Sequence, residues 1–350
     1  MKETAVVILN WNGLNYLQTF LPKVLEYSKE LADVWVIDNA STDDSMAYLA
    51  TLEEVKTLQL DINYGFSKGY NMGLAQIEAK HYVLLNSDVE VTQNWLAPVL
   101  DFMKEANLAA CQPKVLSYHQ KDHFEYAGAT GGFMDCDGFV FCAGRIFDTH
   151  EKDLGQYNEN KEVFWASGAA LFVRSEVYHE CGGLDEDFFA HMEEIDLCWR
   201  MKNRGYKIGA CGRAIVYHVG GGTLNKINPF KTYLNFRNNL YMFLKNEFTK
   251  PIFFALLKRM VLDGIAGTRF LFEGNFSYTL AVLKAHFSFY RNLPLMCKKR
   301  KVEKAARNHP NRTGLYQSSI LIAYFAKGKK FFSQLDQNDF IQAQKKDEHL

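Results

Sequence analysis

The residues best suited to do chemistry lie in one acidic run, Met192-Glu193-Glu194-Ile195-Asp196-Leu197-Cys198-Trp199-Arg200. Met192, Ile195 and Trp199 share one face of a helix, which sets Glu193 and Glu194 in its first turn, and Gly205 supplies a left-handed stop. The helix dipole favours carboxylates there, so the run also reads as a well-capped amphipathic helix, with Asp196 and Arg200 paired along its surface. A second acidic segment, Asn86-Ser87-Asp88-Val89-Glu90, follows the apolar run Tyr82 to Leu85. A strand-end carboxylate of this kind can hold Mg2+ or Mn2+, leaving the other positions to water and substrate phosphate. His218, at the end of the run Ala214 to Tyr217, is a third candidate ligand, because imidazole beside carboxylate suits Mn2+ as well as Mg2+. A lone histidine is more often simply hydrogen-bonded.

Strands must bring these groups together. Ala5 to Leu9 precedes Asn10-Trp11-Asn12-Gly13, Val34 to Ile37 precedes Asp38-Asn39-Ala40-Ser41-Thr42-Asp43, and Tyr82 to Leu85 precedes Asn86-Ser87-Asp88. Over the first 110 residues such runs alternate with amphipathic stretches, which predicts an α/β fold with a mostly parallel sheet covered on both faces. Ligands of open α/β sheets sit beyond the carboxyl ends of the strands, so the three polar segments are expected to converge on one cleft. Thr57 to Leu60 reads as a fourth strand. It leads to Asn63-Tyr64-Gly65-Phe66-Ser67-Lys68-Gly69-Tyr70-Asn71-Met72-Gly73, whose glycines permit close backbone approach but match neither the Walker nor the dinucleotide pattern. From about 111 to 165 the pattern is irregular, punctuated by Gly128, Gly131, Gly132, Gly138 and Gly144, as in a substrate-facing insertion. A strand-like run from Val163 to Arg174 then precedes a helix from about Ser175.

Composition narrows the class. A chain of 350 residues with 48% hydrophobic residues and 7 prolines has a core to bury, which excludes disordered, collagen-like and low-complexity readings. No uncharged apolar run approaches the roughly 18 to 20 residues that a membrane-spanning helix needs. Ala5 to Leu9 runs directly into Asn-Trp-Asn-Gly with no small-residue cleavage site, so it reads as a first strand rather than a signal peptide, and a cytoplasmic location is expected. Cysteines at 111, 136, 142, 181, 198, 211 and 297 form no Cys-x-x-Cys pair and predict free, mostly buried thiols. The zero net charge hides a split. Residues 1–244 carry 21 Lys/Arg against 32 Asp/Glu, a net of −11, and residues 245–350 carry 19 against 8, a net of +11. This second part interleaves bases with aromatics and includes Lys298-Lys299-Arg300-Lys301, a composition suited to peripheral contact with an anionic membrane surface on the inner face of the cytoplasmic membrane. A helical appendage packing its aromatics on the main domain fits equally, and no nucleic-acid partner is expected.

The ordered series of motifs resembles the nucleotide-sugar-dependent family 2 glycosyltransferases, in particular the rhamnosyltransferase-like branch that builds bacterial surface polysaccharides. The resemblance covers roughly residues 3–245. It is carried by Val-Val-Ile-Leu-Asn-Trp-Asn-Gly (6–13), Val-Ile-Asp-Asn-Ala-Ser-Thr-Asp (36–43), the Asn63–Gly73 segment, Leu-Leu-Asn-Ser-Asp-Val-Glu-Val (84–91), Gly-Leu-Asp-Glu-Asp-Phe-Phe (183–189), the acidic helix and the His218 segment with Gly220, Gly221, Gly222 and Thr223. It implies a GT-A fold over residues 1–245, with a nucleotide-binding half (1–110) and an acceptor or catalytic half (111–245), followed by a basic, aromatic-rich helical extension (246–350).

The resemblance also implies roles. Asp38 contacts the nucleoside of a UDP-, GDP- or dTDP-sugar. The pocket is lined by Asn10, Trp11 and Asn12, by Asn63, Gly65, Phe66, Gly69 and Asn71, and by Asn86 and Ser87. Asp88 holds the last position of an Asp-x-Asp-like motif whose first position is Asn86, which makes it the main acidic ligand for Mg2+ or Mn2+ with His218 as partner. Glu194 stands where the family places an aspartate base, with Glu193 before it. The extra methylene moves the carboxylate by about 1 Å, so Glu193 and Asp196 remain rivals. One base and a metal-held leaving group imply single displacement with inversion, toward a hydroxyl of a glycan or lipid-linked acceptor. Tyr233-Leu234-Asn235-Phe236-Arg237-Asn238-Asn239 also resembles a family segment beyond the acidic helix, in which Arg237 could neutralise phosphate or pair on the surface. Two other classes stay open: a sugar nucleotidyltransferase, although Leu9-Asn10-Trp11-Asn12-Gly13 lacks its basic residue, and a catalytically weak nucleotide-sugar-binding scaffold of a polysaccharide assembly complex, for which Asn86 and Glu194 speak.

Overall fold

Val6-Val7-Ile8 and Val34-Trp35-Val36-Ile37 are rich in β-branched residues and apolar on both sides of the pleat, the pattern of interior strands of a covered sheet. The computed structural model describes residues 2–125, 129–220 and 228–343; Gly128, Gly221, Gly222 and Thr223 lie outside them. It places these runs in β1 (Thr4–Asn10) and β2 (Ala32–Asp38), paired in parallel with Asn10 opposite Asp38. α1 (Leu14–Ser28) joins them, and α2 (Ser45–Leu49) leads to β3 (Val55–Gln59), parallel to β2. α3 (Gly65–Leu74) then brings the chain to β4 (His81–Leu85), on the other side of β1. β5 (Val89–Val91), α4 (Ala97–Glu105) and β6 (Ala110–Ser117) follow.

Side chains alternate across β1 as the strand period requires: Val6 and Ile8 join the core under α1 and α4, whereas Ala5 and Val7 join the core on the opposite face with Tyr70 and Leu74 of α3. The short strands β7 (Gly132–Asp135), β8 (Val140–Cys142), β9 (Arg145–Ile146) and β10 (Thr149–His150) form a second sheet in the order β10-β9-β8-β7. The chain returns to the main sheet with β11 (Lys161–Val163) and β12 (Ala170–Arg174), then α5 (Ser175–Glu180), α6 (Glu193–Asn203) and β13 (Ile208–His218). The main sheet runs β11-β13-β6-β12-β4-β1-β2-β3, with β5 on β13. Pairing is parallel across β4-β1-β2-β3 and between β6 and β13; β12 lies antiparallel between β4 and β6.

Two expectations are corrected. The stretch from 111 is not irregular at its start, because β6 runs to Ser117. It carries buried Gln112 and Lys114, whose polarity breaks the hydrophobic pattern although Lys114 is paired with Asp153 at 2.9 Å and Gln112 accepts from Ser167 N at 2.8 Å. The run from 163 to 174 is two strands, split by a turn in which Ser167 Oγ accepts from Ala169 N at 3.2 Å.

Beyond the sheet, α7 (Pro229–Asn246) packs on α6, α8 (Ile252–Phe272) and α9 (Phe276–Arg291) form a hairpin, and α10 (Leu293–Ala306) leads back to β14 (Leu315–Tyr316), parallel to β7. The segment after α10 is not helical throughout. Phe332 and Phe340 bring their rings to 4.8 and 5.2 Å from Phe133, closing the core of the small sheet.

Candidate active site

At the carboxyl ends of β1 and β2 a hydrogen-bonded network joins the first two polar segments. Asp38 is fully buried and accepts from Asn10 Nδ2 at 3.1 Å, Ser41 N at 2.9 Å and Ser41 Oγ at 2.5 Å. Asn12 Oδ1 accepts from Thr42 N at 2.7 Å, and Asn12 N donates to Ser41 Oγ at 2.9 Å. Asn39 fastens the next loop, donating to Asn63 Oδ1 at 2.9 Å and accepting from Tyr64 N at 2.9 Å. Gly65, at φ +76, could not carry a side chain without strain, and a Cβ there would lie 3.2 Å from the Phe189 ring. A Cβ on Gly69 would meet Leu9 at 3.0 Å, so this glycine serves close packing of α3 on β1. Phe66 packs edge-on against Tyr70 at 5.0 Å, and Trp11 is exposed at the rim. Asn71 points elsewhere: it donates to Leu184 O at 2.8 Å and accepts from Leu184 N at 3.0 Å and Tyr178 OH at 2.7 Å, so it ties α3 to the loop before α6.

That loop is strained. Phe189, His191 and Met192 have φ of 66, 69 and 71, left-handed values that cost a non-glycine residue of order 1 kcal/mol or more each. α7 holds it: Asn238 Nδ2 donates to the carbonyls of Phe188, Ala190 and His191 at 2.9, 2.8 and 2.7 Å, and Arg237 donates to those of Asp187 and Phe188 at 3.2 and 3.0 Å. Arg237 is thus a loop clamp. The loop delivers Glu193 and Glu194 at the head of α6. Glu194 lies along Gly168, where a Cβ would come within 3.5 Å of its Cγ. Oε2 of each glutamate and Nε2 of His191 are buried without a hydrogen-bonding partner. Burial raises the pKa of both carboxyls, and the proximity of the two charges raises Glu193 further. Burial, with Lys231 nearby, lowers His191 to about 4 and keeps it neutral. A buried carboxyl with a raised pKa and one unsatisfied oxygen is equipped to take a proton from a hydroxyl once it is ionised.

Asp196 does not face this cleft. It is fully buried, accepting from Arg200 Nε at 2.8 Å, Lys245 Nζ at 2.7 Å and Asn246 Nδ2 at 2.8 Å. The expected surface pair with Arg200 is therefore an interior ion cluster that fastens α6 to α7.

The third polar segment meets β13. Because β5 pairs antiparallel with β13, His218 stands opposite Val89, and its Nε2 lies 3.2 Å from Asp88 Oδ1. Its Nδ1 lies 3.2 Å from Glu125 Oε2, off the line of a well-aligned hydrogen bond. Burial disfavours the charged imidazole, but the flanking carboxylates of Asp88 and Glu125 outweigh it and hold the pKa up at about 10. Asn86 Nδ2 is 3.5 Å from His218 Nε2. Asn86 N donates to Ala169 O at 3.0 Å, next to Gly168 and hence to Glu194, so the metal-type residues and the acid pair share one end of the sheet. Ser87 Oγ would lie 3.8 Å from a Cβ on Gly13, beside Asn10. Among the described residues no three His, Cys, Asp or Glu side chains converge as a ready-made cage. A divalent cation would have to displace the proton that His218 carries between Asp88 and Glu125; with that proton gone, carboxylate and imidazole suit such an ion, since 3.2 Å is close to the roughly 3 Å between neighbouring ligands of an octahedral ion with bonds of about 2.1 Å. Glu125, His191 and Asn238 are not singled out by the sequence; Glu125 lies in the irregular stretch with no motif, His191 just follows the Gly183–Phe189 motif, and Asn238 lies inside the Tyr233–Asn239 segment, where Arg237 alone draws a role.

Comparison with known proteins agrees with this architecture. The glycosyl transferase family 2 model matches residues 5–180, half of the chain. The low-salt glycan biosynthesis hexosyltransferase of Haloferax volcanii is 21% identical over 79% of this chain and 88% of its own length. The N-acetylglucosaminyl-diphospho-decaprenol L-rhamnosyltransferase of Mycobacterium tuberculosis is 24% identical over 57% of this chain and 71% of its own. Among solved structures, a mannosyltransferase from Pyrobaculum calidifontis in complex with GDP-Man and Mn2+ superposes with a TM-score of 0.52 at 12% identity, covering 87% of this chain and 85% of that one. GalNAc-T7 with UDP, GalNAc and Mn2+ gives 0.52 at 17% identity, covering 69% of this chain and 47% of that longer chain. Strands ending in a shared polar cleft, an acid pair at a helix head and half the chain under one family model lead to one statement: this chain belongs to glycosyl transferase family 2 and is a glycosyltransferase that uses a nucleotide-sugar donor.

Proposed function

We propose that the chain is an inverting glycosyltransferase that moves rhamnose or another hexose from a UDP-, GDP- or dTDP-sugar to a hydroxyl of a glycan or lipid-linked acceptor in surface polysaccharide synthesis. Residues 1–110 bind the nucleotide and residues 111–245 the acceptor. The observation that carries this reading is the pair of buried glutamates at the head of α6, each with one carboxyl oxygen, Oε2, left without a partner, at the same end of the sheet as Asp88. Glu194 takes the proton from the attacking hydroxyl, with the buried carboxyl of Glu193 beside it. The Asn10, Asn12, Asp38 and Asn63 network shapes the loops that receive the nucleoside, with Trp11 and Phe66 at its border. Asp88 and His218 would hold Mg2+ or Mn2+, which supplies charge stabilisation to a departing nucleoside diphosphate. Only one side chain acts as base, so no covalent sugar intermediate is required.

Incubation with a panel of UDP-, GDP- and dTDP-sugars, with and without a chelator, tests this. Expected is acceptor-stimulated nucleotide release with one donor, abolished by the chelator and restored by Mn2+ or Mg2+. Donor binding without release would make the chain a scaffold, and release that proceeds equally in the chelator would remove Asp88 and His218 from the reaction.

A further inference from the structure

The α8–α9 hairpin exposes far more bulky apolar surface than a pair of helices in water ordinarily does. Its inward face buries polar groups: Arg259 pairs with Asp263 at 3.0 Å, and His286 Nε2 joins them at 3.3 Å. Leu256, Val282 and Phe289 are buried there as well, and small Ala281, Ala285 and Gly267 allow close approach, with a Cβ on Gly267 only 3.7 Å from Val282. Most of the bulky apolar residues nevertheless point outward. On α8 they recur every fourth residue, at Phe253, Leu257, Val261 and Ile265. On α9 they recur at alternating spacings of four and three, at Phe276, Leu280, Leu283 and Phe287. Phe253, Phe287 and Phe272, at the tip, are 70%, 71% and 87% exposed, so these are free faces and not half-covered seams. A water-facing amphipathic helix has the opposite pattern, and an apolar face this continuous marks an interaction surface.

We infer that this hairpin lies in the plane of an anionic phospholipid bilayer and docks the enzyme on it. Charge decides between lipid and a second copy of the chain. Lys284 and Arg291 flank the α9 stripe and line a groove of about 500 Å³ against Tyr233 of α7. The hairpin's own carboxylates, Asp263 and Glu273, are already paired with Arg259 and Arg269. Two-fold pairing of this face would set its cations against their own copies with no carboxylate to meet them, whereas lipid phosphate supplies the missing charge. No helix among the described residues is long and apolar enough to cross a membrane, which leaves in-plane docking. In the basic run of α10 two of the four bases are already engaged, Lys299 with Asp185 and Asp187 and Arg300 with the carbonyls of Leu244 and Glu247, so only Lys298 and Lys301 remain exposed to add to the charge of the hairpin. The docking face also continues toward the cleft: Tyr233 stacks with Phe230 at 5.9 Å, and Phe230 approaches Phe189 of the strained loop at 6.3 Å. That a lipid-linked acceptor would enter from this side rests on the function proposed above; docking itself does not.

The test is flotation of the full chain with vesicles of phosphatidylglycerol and phosphatidylcholine in equal parts, or of phosphatidylcholine alone. The wild type is expected to float with the anionic vesicles and to be released by salt. Leu283→Ser with Phe287→Ser should lower partitioning at least about tenfold, and Lys284→Gln and Arg291→Gln about fivefold each on anionic vesicles only. Donor binding measured by calorimetry without vesicles should be unchanged in all of them, which separates loss of docking from loss of the site. The inference is overturned by a wild type that floats with neither vesicle or by equal flotation of the Leu283→Ser, Phe287→Ser variant. It is equally overturned by a wild-type dimer in sedimentation that this variant converts to monomer.

Discussion

At the β1–β2 end of the cleft, where the nucleotide is proposed to bind, the side chains hold one another, whereas at the acid end one oxygen of each glutamate and a nitrogen of His191 are left without a partner. Asp38, Asn12, Asn39 and Asn63 each engage a neighbouring loop, so the pocket keeps its shape before a ligand arrives; only Asn10 Oδ1 is left without a partner. At the head of α6, three residues sit at left-handed φ, and two carboxyl oxygens and an imidazole nitrogen are buried unpaired. An unsatisfied buried polar group costs about 1–3 kcal/mol, so this end surrenders stability that the other keeps. The difference separates recognition, which gains from a prebuilt network, from reactivity, which needs a group left hungry for the proton it will take.

The sharpest way to break the comparison is Glu194→Gln. If Glu194 is the base, kcat falls by about 10³, roughly 4 kcal/mol in the barrier, while the melting temperature holds or rises because a buried acid has been neutralised. Near-normal nucleotide release from this variant would move the role to Glu193. Next in size is Asp196→Asn, two residues along the same helix, where the acid is fully partnered. Removing its charge leaves Arg200 and Lys245 buried with less to meet them, and a loss of about 3 kcal/mol in denaturant unfolding is expected. These adjacent acids should therefore fail in opposite ways, one in rate and one in stability. Were Asp196→Asn as stable as wild type, the division between the two ends would lose its clearest marker.

A smaller effect is expected from Asn238→Ala, which withdraws the amide shared by the carbonyls of Phe188, Ala190 and His191. The strained loop should relax, with about 2 kcal/mol lost in stability and kcat reduced, while donor affinity stays near wild type because the nucleotide network lies on other elements. Steady-state kinetics with the donor varied, alongside a thermal melt, resolve the two. A rise in donor KM with kcat intact would show that the loop serves the nucleotide instead.

Much of this was legible in the amino-acid string, and its limits have physical causes. β1, β2 and β4 are short apolar runs ending in Asn and Asp, so their order and shared polar end could be read from pattern alone. α6 announced itself through its apolar spacing and Gly205. Hydropathy failed where polar groups are buried with partners supplied from afar: β6 was hidden by Gln112 and Lys114, whose partners Ser167 and Asp153 come from other elements. The same holds for Asp196, whose ion cluster depends on Lys245 and Asn246 from α7, and for Asn71, bound to Leu184. Long-range side-chain pairing leaves no local trace. Nor does backbone strain at Phe189, His191 and Met192, where nothing but the fold compels non-glycine residues into left-handed φ.

The mildest test of the contrast is the pH dependence of stability. In the unfolded chain Glu193 and Glu194 titrate near the ordinary glutamate value of 4.5, whereas in the folded protein burial raises both, and the neighbouring charge raises Glu193 further. Between the unfolded and folded values the native state binds more protons than the unfolded one, so stability must fall as pH rises through that window, by at most about 1.4 kcal/mol per pH unit for each such proton. Below the unfolded value both states are protonated and the penalty vanishes. The partnered acids act in the opposite sense and elsewhere: Asp185, held low by Lys245 and Lys299 against its burial, contributes stability that disappears only in strong acid. Glu193→Gln should therefore flatten the decline of unfolding free energy that sets in as pH rises above the ordinary glutamate value, without disturbing the acid-side loss. Parallel curves for wild type and variant would mean that the acid end is no less satisfied than the nucleotide end.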